Sequence, residues 1–330
     1  MKNQTKIFYD NEINSDILNS LQIGLIGYGN QGQAQALNLR DSGINLIIGA
    51  RLTGNAYNRA KADGFEVFGV DYIAANCDLI IMLMPDEVMK DVYENHLEPY
   101  LKSKVSFIFA HGFVITNKLL RIPDSSDVML VAPTGPGRIL RNLYLEGQGL
   151  PALFAISSDV SGNALETCLT YGKAIGCARA GLIETSFNEE TIVDLFCEQA
   201  VLCGGIPGLI KASFNTLVAR GYNPDLAYIS CLKEVKLISD LMFDQGIAAM
   251  RQAISNTAKY GAYQVEEKII NAQVYTKLDS ILDDIESSKF ARTYLESFEN
   301  NFSDLNEWLL AEKKSTIVKT GNELKAKLKF

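Results

Sequence analysis

Seven short apolar runs punctuate the first half of the chain: LQIGLIG, INLIIGA, FEVFGV, DLIIMLM, VSFIFA, VMLVAP and PALFAIS. Polar or helix-length stretches separate most of them. Strands this uniformly apolar must be buried on both faces, and helical spacers return the chain in the same direction each time. The pattern therefore predicts a doubly wound, Rossmann-like α/β domain built on a parallel sheet. After about Glu184 the texture changes. Segments such as NEETIVDLFCEQAVLC and NPDLAYISCLKEVKLISDLMFDQGIAAMRQAISNTAKY place apolar residues at helical intervals with no strand alternation, which predicts an all-helical second domain. The expected division is residues 1–184 and 185–330, with no low-complexity linker between them.

The first apolar run leads directly into Gly27-x-Gly29-x-x-Gly32 and then into an alanine-rich helical pattern. In a strand–turn–helix unit the first glycine permits the tight turn and the second lets the backbone approach a pyrophosphate. The third allows close helix packing, with the helix N-terminus facing the phosphates. The second run ends at IIGARLTGNAYNRA, where an NAD-preferring fold usually presents an acid to the ribose. Arg51 stands in that region instead, so a 2′-phosphate, and hence NADPH, is expected, with NADH possible as an alternative.

Composition narrows the partners. The 330 residues are 47% hydrophobic and 21% charged, the profile of a globular chain long enough for two cores. A net charge of −8 lacks the basic footprint that nucleic-acid binding needs, so a small molecule is the expected partner. No apolar run approaches the roughly 18 residues that cross a bilayer, and no long apolar core precedes the glycine turn. A cytoplasmic protein without membrane contact is expected. Cys77, Cys168, Cys177, Cys197, Cys203 and Cys231 have no C-x-x-C spacing and read as reduced core residues.

The segment TIVDLFCEQAVLC carries only two charges, Asp194 and Glu198, at i and i+4 on one helix face. Two carboxylates on so apolar a helix repel each other unless a cation meets them, and a hard divalent ion suits oxygen donors.

Taken together, IGYGNQGQAQALNLRDSG, LMPDEVMKDVY, FAHGF, VAPTGPG, SGNALE, ETSFNEETIVDLFCEQAVLCGG and AISNTAKYG resemble ketol-acid reductoisomerase (acetohydroxy acid isomeroreductase), in its short class with one helical domain. The resemblance runs from about residue 6 to at least residue 261. It implies a two-step reaction at a dinuclear Mg²⁺ site: alkyl migration in a 2-aceto-2-hydroxy acid, then reduction by NADPH. Migration needs cations on adjacent oxygens, and reduction needs a hydride donor aligned with a polarised carbonyl. The resemblance implies metal ligation by Asp194 and Glu198 and proton handling by His111. It brings Glu234 to the site from a neighbouring subunit of a homodimer, and places Ser255 on the substrate carboxylate. Its cofactor set covers Gly27, Tyr28, Gly29, Asn30, Gln31, Gly32, Arg51, Thr53, Pro85, Asp86 and Gly137. His96 lies outside the shared motifs and reads as a surface residue.

The chain departs from the family pattern at informative places. Thr134 replaces a lysine beside the metals, and Ser230 replaces a glutamate four residues before Glu234; at most a neutral hydroxyl remains at each. One Mg²⁺ is expected to bind, with the second in doubt. Gln33 and Gln35 stand where histidines are common, and LTGNAYN lacks the serines that often hold a 2′-phosphate. The expected function is NAD(P)H-dependent reduction of a small 2-oxo or imino acid with the isomerase step impaired. The alternatives are a true ketol-acid reductoisomerase of branched-chain amino-acid synthesis, acting on 2-acetolactate, and a non-catalytic nucleotide-binding protein.

Overall fold

The computed structural model describes residues 5–328, and the chain divides after Thr191 into two compact units. The first holds nine strands: β1 (Ile7–Phe8), β2 (Ile23–Ile26), β3 (Ile47–Gly49), β4 (Val67–Phe68), β5 (Leu79–Met82), β6 (Ser106–Phe109), β7 (Asp127–Pro133), β8 (Ala152–Ser158) and β9 (Leu182–Glu184). They form one sheet in the order β1-β9-β8-β7-β6-β5-β2-β3-β4. All seven apolar runs are strands. Six of them, β2 to β7, are mutually parallel, with Gly24 of β2 opposite Ile47 of β3 and Ile80 of β5.

The sheet departs from a wholly parallel one at one end. β8 pairs antiparallel with β7, and β1 antiparallel with β9. The sequence pattern reports burial, which is the same for either strand direction. β1 and β9, at two and three residues, are too short to show any period.

One helix follows each strand from β2 to β8: α1 (Asn30–Asp41), α2 (Asn55–Ala62), α3 (Val70–Asn76), α4 (Asp86–Val92), α5 (Phe113–Thr116), α6 (Gly137–Leu145) and α7 (Ala164–Ala174). Leu25, Ile48, Ile81, Ile108, Met129 and Val131 are buried in the core around the sheet. From β2 the chain steps outward to β3 and β4, then returns to lay β5 on the other side of β2. That reversal opens a crevice beyond the C-terminal strand ends, the usual ligand site of such sheets.

The next helix, α8 (Phe187–Cys197), continues into the second unit and widens into a π-type turn at Glu198–Leu202. α9 (Gly205–Ala219) and α10 (Pro224–Tyr228) follow, the latter capped by the Asn223 side chain, which accepts from Asp225 N–H at 2.8 Å. A second π-type turn, Ile229–Lys233, leads into α11 (Glu234–Ala253), which kinks at Gly246 with φ of 80°. α12 (Asn256–Ile269), α13 (Ala272–Glu286), α14 (Lys289–Glu299), α15 (Ser303–Lys313) and α16 (Thr316–Lys327) complete it. Phe214, Tyr228, Ile317 and Leu324 form a small core here, where a β-carbon at Gly321 would lie 2.6 Å from the Tyr228 hydroxyl.

Two expectations need correction. Cys77, Cys168 and Cys177 are buried and reduced, and burial pushes the Cys77 and Cys177 thiols up to about 12; Cys197 and Cys231 are only half-buried, and Cys203 is exposed. Helix periodicity without a partner surface does not guarantee a core. The helical stretch Phe187–Ala219 is also long and apolar enough to cross a membrane by length and composition, with a window of mean hydropathy 1.4. An uninterrupted run stops at Asp194 and Glu198, whereas an average over 18 residues absorbs them.

Asp127, at the start of β7, is almost fully buried. Its Oδ1 accepts from Val160 N–H at 2.7 Å and Ser161 N–H at 2.9 Å, and its Oδ2 from Ser161 Oγ at 2.7 Å and Ser106 Oγ at 2.9 Å. Burial alone would raise this carboxyl, but the bonds from Ser161, Ser106 and Val160 outweigh it and hold the group below the usual carboxylate range. The resulting stability is complete above the unfolded value of about 3.9 and is lost as pH falls through the lower folded one. Asp127→Asn is expected to lower the unfolding free energy at pH 7 by about 2 kcal/mol. In urea titrations across pH, that gap should close below about pH 4; a gap constant with pH would contradict the charged anchor.

Candidate active site

The crevice at the strand reversal is a cavity of about 910 Å³. The turns after β2, β3, β4 and β5 line it through Gly27 to Gln31, Gly49 to Leu52, Gly69 to Asp71, and Leu83 to Pro85. The three glycines do different work. Gly27 sits at φ of 97°, and a β-carbon there would lie 2.6 Å from the Leu83 and Met84 backbone. Gly32 packs α1 onto the turn so closely that a β-carbon would lie 2.0 Å from the Gly27 carbonyl oxygen. Gly29 has nothing within 4 Å of its missing side chain, so this stretch of backbone faces open space in the cavity. Such a cradle at a helix N-terminus suits a pyrophosphate.

The other cofactor candidates distribute themselves around this turn. Tyr28, Asn30, Gln31, Arg51 and Pro85 line the cavity. Tyr28 is buried; burial first, and then its bond to Asp63, push its phenol far above the usual range, so it stays a neutral donor. Gly137 lies behind the turn, where a β-carbon would meet the Asn30 carbonyl at 2.2 Å. Gln31 donates to Gly135 O at 2.8 Å and accepts from Gln35, which in turn accepts from the buried Tyr171 hydroxyl. Thr53 is exposed on the loop before α2.

Asp86 turns away from the cavity to His111, accepting from its Nδ1 at 2.8 Å. That bond fixes the tautomer and leaves Nε2 as the basic nitrogen. The loop carrying His111 is sewn to the first turn of α8. Gly112 N–H donates to Glu190 Oε2 at 2.8 Å, Thr116 Oγ1 donates to Phe187 O at 3.0 Å, and Thr191 Oγ1 donates to the same carbonyl at 2.8 Å. Only a glycine permits this approach, since a β-carbon at residue 112 would lie within 2.7 Å of Thr191, Glu190 and Phe187 atoms. His111 and the buried Glu190 thereby bring ligand-capable atoms within 4.8 Å of each other.

Glu190 is a candidate site residue that sequence reasoning missed. It precedes Asp194 by four residues as Asp194 precedes Glu198, so the same spacing extended one turn back would have found it. Asp194 and Glu198 are exposed on α8 and its π-type turn, and such widened turns are frequent at functional sites. Their all-oxygen chemistry fits a hard divalent cation. Elsewhere in the second unit, Ser230 Oγ donates to Glu234 Oε1 at 3.1 Å, and Ser255 Oγ caps α12 by accepting from Ala258 N–H at 3.2 Å. Thr134, exposed after β7, donates its hydroxyl to Pro151 O at 2.9 Å. Arg59 and the exposed His96, neither expected in the cofactor set, also line the cavity.

A family model described as "Acetohydroxy acid isomeroreductase, NADPH-binding domain" matches residues 17–181, and one described as "Ketol-acid reductoisomerase, C-terminal domain" matches residues 187–330. Among solved structures, an NADH-preferring ketol-acid reductoisomerase from an uncultured archaean is 39% identical, covering 98% of this chain and 100% of its own, with a TM-score of 0.94. A semialdehyde dehydrogenase NAD-binding protein from Cupriavidus necator, solved with calcium and NAD, shares 14% identity over 81% of this chain and 99% of its own, with a TM-score of 0.64. A pyrroline-5-carboxylate reductase from Coxiella burnetii shares 14% over 82% and 98%, with a TM-score of 0.57. The last two share the fold alone.

The geometry separates a binding glycine from packing glycines. Gly29→Val is expected to leave the thermal unfolding midpoint near that of the wild type while weakening NADPH at least about tenfold, or about 1.4 kcal/mol. Gly32→Val should lower the midpoint as well, because its side chain has no space. Calorimetry and dye-monitored unfolding distinguish the two, and equal behaviour would refute the assignment.

Proposed function

The chain belongs to the ketol-acid reductoisomerase family and is an NAD(P)H-dependent oxidoreductase, and from that premise we propose that it reduces a small 2-oxo or imino acid, with the family's alkyl-migration step weakened. The observation that carries this reading is the Thr134 hydroxyl, committed to Pro151 O at 2.9 Å. The residue at this position offers neither a positive charge nor an uncommitted donor. Ser230 likewise brings a hydroxyl bonded to Glu234 instead of a second carboxylate. Losing one preorganised charged group typically costs about 3 kcal/mol of transition-state stabilisation, and migration relies on more of them than reduction does.

The remaining residues have assignable work. The turn Gly27 to Gly32 binds the pyrophosphate through backbone amides, and Arg51 faces the adenine ribose. In the loop Arg51 to Ala56 only Thr53 brings a hydroxyl toward that ribose, so discrimination between NADPH and NADH is small. Asp86 orients His111, whose Nε2 exchanges a proton with the substrate oxygen. Asp194 and Glu198 hold Mg²⁺, and Glu190 keeps the histidine loop seated against α8. When bound, the nicotinamide supplies hydride and the cation polarises the carbonyl. A complete reductoisomerase is the second reading, favoured by 39% identity along nearly the whole chain.

The helical unit leaves much apolar surface open: Phe243 is 91% exposed and Trp308 64%. We assign this surface to a second copy of the chain, since exposed apolar surface of this extent marks an association site.

Three outcomes are expected. With Mg²⁺ and NADPH, 3-hydroxy-3-methyl-2-oxobutanoate should be reduced faster than 2-acetolactate is consumed, by about two to four powers of ten; equal rates would favour the second reading. The kcat/KM values for NADPH and NADH should agree within about tenfold. Sedimentation at micromolar concentration should give twice the 36.4 kDa chain mass, and a monodisperse monomer would remove the dimer.

A further inference from the structure

Helix α2 ends in an aspartate, Asp63, at its C-cap. A carboxylate there is disfavoured by the helix dipole. It is nonetheless held from two sides: the Tyr28 hydroxyl and the Gln33 side-chain amide both donate to its Oδ2, each at 2.8 Å. Its backbone carbonyl accepts from Arg40 Nη1 at 2.6 Å. Tyr28 belongs to the glycine turn, and Gln33 and Arg40 to α1. One turn back along α2, Arg59 returns the contact, donating from Nη2 to the Tyr28 carbonyl at 2.7 Å. Phe65 closes the assembly, edge-on to the Tyr28 ring at 5.9 Å and beneath the Arg40 guanidinium at 5.1 Å.

We propose that Asp63 and Arg59 are positioning residues for the dinucleotide, forming a clamp that sets the adenine-ribose loop against the pyrophosphate turn. This rests on the reading that the cleft takes a nicotinamide dinucleotide. The loop Arg51 to Gly54 runs directly into the N-terminus of α2, so fixing the far end of this helix fixes where the loop stands. Arg59 acts on the other subsite. A trans peptide points its C=O and N–H in opposite directions, so pinning the Tyr28 carbonyl also sets the direction of the Gly29 N–H. Both cofactor subsites thus share one hydrogen-bonded reference. A ligand spanning them binds through their relative position, whereas a ligand on one side does not.

The test is titration calorimetry of the full chain with NADPH, ADP and adenosine, in the wild type, Asp63→Ala, Asp63→Asn and Tyr28→Phe. ADP spans ribose and diphosphate; adenosine occupies the first side alone. Asp63→Ala is expected to weaken NADPH and ADP about tenfold while adenosine stays within about twofold, because one severed clamp is worth about two net hydrogen bonds. At saturating cofactor, kcat should change little while KM for NADPH rises in step. Asp63→Asn retains an acceptor oxygen and should recover most of the affinity. Tyr28→Phe, which removes one donor and no buried volume, should fall between. Equal losses for ADP and adenosine, or wild-type ADP affinity in Asp63→Ala, would overturn the clamp. A wild type that binds neither NADPH nor ADP would overturn the dinucleotide reading and the clamp with it.

Discussion

The site depends first on a backbone contact in which no side chain takes part: α1 leaves β2 so tightly that Gly32 lies against the Gly27 carbonyl, while Gly27 itself takes a left-handed conformation against the turn after β5. L-residues with a β-carbon rarely adopt that conformation, and none fits that gap. The strand reversal between β2 and β5 places this contact at the mouth of the sheet, where four turns converge on one cavity. The cleft is therefore a consequence of connectivity, and the glycines make it usable.

A second glycine contact, this one chiefly against side chains, seats His111. Gly112 lets the His111 loop rest on the first turn of α8, and the Glu190 carboxylate accepts its amide. Asp86, from the helix after β5, fixes the imidazole from the other side. Thus the turn after β5 contributes Pro85 to the cleft and its neighbour Asp86 to the histidine, so adjacent residues link the two.

Much of this was legible. Seven apolar runs became seven strands, and the glycine spacing marked the turn, because burial on both faces and steric exclusion leave signatures within a few residues. What stayed hidden involves partners distant in sequence. Asp63 meets its partners Tyr28 and Gln33 across 35 and 30 residues of sequence. Asp86 is expected in the cofactor set, with no hint that His111 stands opposite it.

The sequence by itself determined the fold class, the glycine turn, the family resemblance and the neutral side chains at Thr134 and Ser230, since each rests on residue identity or on short-range periodicity. Only the tertiary structure decided that β8 runs against β7, that Glu190 meets the histidine loop, that Thr134 spends its hydroxyl on Pro151, and that Asp63 joins α2 to the glycine turn. The physical reason is common to all four. A hydrogen bond is satisfied by whichever partner the packed chain brings within about 3 Å, and that partner is chosen by strand order and helix packing, which local composition does not encode.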